Sequence, residues 1–137
     1  MKSGKRGANR RLGQSIIEVL VGCIFLIPMA LAGLDVIVLV LANSANDSLV
    51  KNAARAAANQ TTRNGALIAA QRCVDAFHTS NIIVGVEMAQ NVDYQQDKNV
   101  SVKTVMTVKM PVGIAGFEII KFQAQATEPV VAMPADV

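Results

Sequence analysis

The 137 residues are 52% hydrophobic but only 4% aromatic, with no Trp, so the apolar content lies in aliphatic and alanine-rich runs rather than in an aromatic core or base-stacking platform. The net charge of +3 belongs to a short stretch: Lys2, Lys5, Arg6, Arg10 and Arg11 all precede Gly13, while from Gln14 onward eight Lys or Arg stand against ten Asp or Glu. A body of net negative charge has no basic surface for phosphates, which excludes a nucleic-acid binder, and the length supports one small module beside any membrane segment.

From Ile16 to Ala42 the chain is apolar except for Glu18, Asp35 and small residues, a run of 27 positions. At 1.5 Å per residue such a helix reaches about 40 Å, more than the roughly 30 Å of a bilayer's hydrocarbon. The run also exceeds the apolar core of a cleaved signal peptide, about 7–15 residues. If the bilayer begins near Gln14, Asp35 falls at its far interface and Val36–Ala42 lies beyond the lipid, where protein must cover it. The basic residues at the start hold the N-terminus in the cytoplasm and place the chain beyond the helix outside. Pro28 lacks an N–H and crowds the carbonyl of Ile24, so a bend is expected there, aided by Gly22 and Gly33. Glu18 is an acid on an apolar helix, which costs about 2.5–3.5 kcal/mol at mid-membrane and less near an edge. Its position alone is compatible with an interface marker or with a partnered, functional acid.

Cys23 and Cys73 are too far apart to pair within one chain and read as small apolar side chains, with an intermolecular bridge through Cys73 left open. Ser44 to Asn59 is alanine-rich helix composition with Lys51 and Arg55 four apart. Thr61, Thr62, Asn64 and Gly65 predict a break. Leu67, Ala70, Cys73, Val74 and Phe77 then recur at steps of three and four, an amphipathic helix ending near the single histidine, His78, whose place at a helix C-terminus needs no catalysis.

Beyond Asn81 the pattern turns to alternation. "NIIVGVEMAQNV", "NVSVKTVMTVKMPV" and "FEIIKFQAQATEPV" predict three strands, joined through "DYQQDKN" and "PVGIAG" as an antiparallel meander with one face on a helix. In the middle strand Val100, Val102, Thr104, Met106, Val108 and Met110 should face inward. Pro129 and Pro134 should end the order. Glu87, Asp93 and Asp97 lack the regular spacing of a calcium loop and read as a solvated hairpin. No Ser, Cys or His has a base arranged beside it and no glycine-rich phosphate loop occurs, so neither an enzyme, a metal nor a cofactor is expected.

The stretch "RRLGQSIIEVLVGCIFLIP" resembles the leader and helix start of the type IV pilin superfamily, most closely the TadE-like pseudopilins of tight-adherence pilus systems. "ANSANDSLVKNAARAAANQ" resembles the segment that carries the TadE-like helix away from the membrane, so the likeness covers roughly the first 60 residues. Val19 stands where relatives commonly have an aromatic, and Gln14 where many pilins have Phe. The resemblance implies a basic leader 1–13, cut by a prepilin peptidase between Gly13 and Gln14, with Glu18 as the fifth residue of the mature chain. It implies that Glu18 pairs with the freed amine of a neighbouring subunit within the bilayer.

The expectation is therefore an α+β chain with a leader 1–13, a transmembrane helix 14–42 and an extracytoplasmic module 43–137. It would be a minor pilin of a bacterial inner membrane whose partners are the membrane, the peptidase, other pilin subunits and the assembly platform. Two other readings stay open. One is an uncleaved signal-anchored envelope protein with a partner-binding sheet, and the other is a pseudopilin of a type II secretion or DNA-uptake system.

Overall fold

The computed structural model describes residues 6–95, 98–113, 116 and 118–131, with side chains from Ser15 onward. Helix α1 (Arg6–Ala58) takes up 53 residues in one piece and carries Pro28 inside it. Helix α2 (Arg63–Asp75) comes next. Four strands complete the fold: β1 (Ile83–Met88), β2 (Asp93–Gln95), β3 (Asn99–Lys109) and β4 (Ile119–Pro129). The chain divides into two compact units, Met1–Leu34 and Asp35–Val137.

In the first unit the apolar helix exposes nearly everything large that it carries, including Phe25 at 73% and Leu26 at 69%. It is long and apolar enough to cross a membrane, by length and composition.

In the second unit α1 lays a stripe of mostly small residues on the sheet. Asp35, Ala42, Asn46, Leu49, Val50, Ala53, Ala54, Ala57 and Ala58 are all buried, at the spacing of one helical face. Alanine has no bulk beyond Cβ, so three elements approach closely: Ala53, Ala54 and Ala57 of α1 and Ala66 and Ala70 of α2 share a core with Val92, Val100, Val102 and Ala124 of the sheet unit. A second cluster joins Ala42 to Met106 and Val108, flanked by Val38, Phe77 and Phe122.

The break between the helices covers residues 59–62, so Thr61 and Thr62 lie in it as expected while Asn64 and Gly65 belong to the first turn of α2. Thr62 caps α2, its hydroxyl accepting the Gly65 N–H at 3.1 Å. Inward alternation along β3 is as expected for Val100, Val102, Thr104, Met106 and Val108, all buried, while Met110 lies past the strand's end and is half-exposed.

The sheet is antiparallel, with β3 at its centre, but has four strands rather than three. β1 and β2 lie end to end along one edge of β3, and β4 takes the other edge. From Met88, opposite Thr104, to Asp93, opposite Ser101, the edge uses five steps where β3 uses three. The two extra residues interrupt the ladder and let Val92 turn into the core at 2% exposure. The strand then resumes inside the predicted link "DYQQDKN", held by the Tyr94 hydroxyl, which donates to the Gln60 carbonyl at 3.0 Å. Pro129 closes β4 but not the order: the Val130 N–H donates to the Lys98 carbonyl at 3.2 Å, and that of Val131 to the Ala58 carbonyl at 3.1 Å. Pro134 lies outside the described residues.

Candidate functional site

The predicted site residues lie at the head of α1. Arg6, Arg10, Arg11, Gly13 and Gln14 have helical backbone, and Lys2 and Lys5 lie outside the described residues. Glu18 is exposed, one turn beyond Gln14. At 3.6 residues per turn, Glu18, Val21 and Phe25 fall along one side of the helix. Ser15, Ile16, Val19, Leu20 and Cys23 form a shallow apolar furrow on another side. Glu18 thus stands among exposed aliphatic groups, including Val19 at 64% and Val21 at 46%. Among the side chains described, from Ser15 onward, none brings a cation within ion-pairing distance of it. In lipid, a carboxylate is penalised heavily unless a counter-charge pairs with it.

Other candidates stay apart. Cys23 and Cys73 are free thiols. Asp93 is exposed at the start of β2, Glu87 is exposed on β1, and Asp97 lies outside the described residues. His78 is exposed beyond the end of α2. Among the described residues no group of three or more His, Cys, Asp or Glu side chains is placed to hold a metal ion.

Two buried polar groups lie outside the sequence-based expectations. Asn46, fully buried on α1, donates through Nδ2 to the Phe122 carbonyl at 3.3 Å and accepts the Thr104 hydroxyl at 2.8 Å. These bonds tie the helix to β3 and β4 at one register. Asp35, near the far end of the apolar run, is buried, at 3% exposure. Its Oδ1 accepts the Val112 N–H at 3.2 Å, and among the described residues Oδ2 has no partner. The signal for both is the three-and-four stepping of the alanine stripe, which passes through Asn46 and reaches back to Asp35 when extended.

No family model matches the chain, and neither curated proteins nor solved structures match it.

Proposed function

We propose that this chain is a minor pilin or pseudopilin of a tight-adherence-type pilus, made with a basic leader that a prepilin peptidase removes after Gly13. The observation that carries the reading is the arrangement of Gly13, Gln14 and Glu18 at the head of a single helix. From Ile16 that helix carries exposed aliphatic residues, and its last turns are packed on an antiparallel sheet.

Removal of Met1–Gly13 takes away five cations and leaves a new amine at Gln14. The amine is a counter-charge that only a processed subunit can offer, and Glu18 of its neighbour accepts it. In low dielectric an unpaired charge is penalised heavily, so the pairing fixes the stagger between subunits and makes processing a condition for assembly. The module from Asp35 onward then stands on the outer side of the inner membrane, where other pilin subunits and the assembly platform meet it.

The test replaces Glu18 and reads assembly separately from processing. Glu18→Ala is expected to be cut normally but to enter filaments far less than the parent. Filaments of normal composition built from Glu18→Ala remove the pairing role.

A further inference from the structure

Strand β4 forms one edge of the sheet and pairs with β3 residue for residue from Ile119 to Pro129, 11 residues without a bulge. Two bonds carry this ladder past its ends: the Met110 N–H donates to the Glu118 carbonyl at 2.9 Å, and the Val130 N–H to the Lys98 carbonyl at 3.2 Å. Glu118 and Val130 are even-numbered, and backbone groups alternate in direction along a strand, so those of Ile119, Lys121, Gln123, Gln125 and Thr127 point away from β3. Among the described residues no backbone group bonds to them. The N–H of Val131, next in the same series after Pro129, does bond, to the Ala58 carbonyl at 3.1 Å, so α1 closes the edge only past the end of the strand. Edge strands are ordinarily blunted by short length, a bulge or an internal proline, and β4 has none of these between Ile119 and Thr127.

Helix α1 flanks this edge. Val38, Ala45 and Phe122 pack in one cluster, and Arg55 lies 3.5 Å from a Glu128 oxygen, so the side of α1 that carries Val38, Ala45 and Arg55 faces β4. Leu41 stands on that side, in steps of three and four with Val38 and Ala45, yet is 64% exposed. On the face of β4 turned to the helix, Ile120 and Phe122 are only half-buried. The edge therefore has an aliphatic inner side next to α1 and an exposed outer side of Lys121, Gln123, Gln125 and Thr127.

We infer that β4 takes up one extended strand of another polypeptide, with aliphatic side chains turned toward α1 beside Ile120 and Phe122 and an acidic side chain opposite Lys121. In such an addition the main-chain bonds supply affinity and alternate side chains supply specificity. Charge selects this occupant. Lys121 is the one charged residue in the outward series, its neighbour on β3 is Thr107, and among the described residues it makes no ion pair. An acid directly across from it is favourable. A second copy of β4 supplies none: the antiparallel register that joins every outward group sets Gln123 opposite itself, which brings Gln125 opposite Lys121 and Glu128 opposite Glu118, a repulsive pair. The inference concerns the second unit alone and is independent of leader cleavage and pilus assembly.

The test uses the full chain in detergent and the peptide Thr-Val-Glu-Val-Thr-Val-Glu-Val-Thr, which presents an acid to Lys121 whichever way it runs. Hydrogen exchange is read amide by amide by NMR. Without peptide, the amides of Lys121, Gln123 and Gln125 are expected to exchange many-fold faster than those of Phe122 and Ala124, which bond to β3. Millimolar peptide is expected to slow the first set several-fold. Gln123→Pro should abolish that slowing, because it removes an outward N–H and no bond of the ladder. Lys121→Glu should reverse the preference, toward the same peptide with Lys in place of Glu. Absence of slowing, equal slowing in a Gln123→Pro variant that keeps its β-sheet circular dichroism, or an unchanged preference in Lys121→Glu overturns the inference. Slow exchange of the outward amides without peptide also overturns it: a dependence on protein concentration assigns the edge to a second copy, and its absence means that the chain covers its own edge.

Discussion

The two parts of helix α1 differ in what they bury: the first has almost no buried face, while the second, although it leaves Val36, Ile37, Val40 and Leu41 exposed, buries a stripe of mostly small residues. In the first unit the large side chains are outside: Ile16, Leu20, Ile24, Phe25 and Leu26 are all exposed. In the second unit the buried face is mainly alanine, with Ala53, Ala54 and Ala57 at 0% exposure. A water-soluble helix buries its large residues and has no reason to display them. One helix thus carries two kinds of surface: an exposed aliphatic one and a tightly packed one.

The comparison can be broken most sharply by exchanging size across it. Ala54→Leu forces extra volume where sheet and helices meet, and is expected to cost up to about 3 kcal/mol in the second unit. Leu26→Ala, a change that usually costs about 2–5 kcal/mol in a core, should leave that unit's stability unaltered because Leu26 touches none of its core. Thermal unfolding followed by the β-sheet circular dichroism signal measures both. A destabilising Leu26→Ala would mean that the first unit is an ordinary packed helix.

A smaller effect sharpens the packed side. Asn46→Ala leaves the buried Thr104 hydroxyl without its acceptor and is expected to cost about 2 kcal/mol. Adding Thr104→Val should cost less than the two single changes together, as a double-mutant cycle would record. Additive losses would mean that the two side chains are not coupled. The smallest effect belongs to Arg55, 69% exposed and 3.5 Å from a Glu128 oxygen. Arg55→Ala should cost about 0.5 kcal/mol or less, and less still in high salt.

Much of the second unit is legible in the sequence because its signals are local and periodic. The inward residues of β3 come from alternation, α2 from steps of three and four, and the break before it from Thr61 and Thr62, whose capping role appears only in the structure. Non-local arrangements are not legible. The split of the first edge into β1 and β2 depends on two residues inserted relative to β3, which no single-strand pattern reveals. Asn46 meets Thr104 across 58 positions, and Asp35 meets Val112 across 77, so their burial emerges only once helix and sheet are stacked. At the candidate site the spacing of Gly13, Gln14 and Glu18 is a feature of sequence. The fold adds the exposed helical surface on which Glu18 stands and no counter-charge among the side chains described, from Ser15 onward.

The central claim is that Glu18 and the exposed aliphatic helix belong to a subunit that becomes competent for assembly when its leader is removed. The most direct measurement is the intact mass of the protein recovered from membranes, with and without a co-expressed prepilin peptidase. The account predicts a chain that starts at Gln14 only when the peptidase is active and that remains uncut when Gly13 is replaced. A chain that keeps Met1–Gly13 beside an active peptidase would contradict it, and would make a signal-anchored envelope protein, with Glu18 at the membrane edge, the better description.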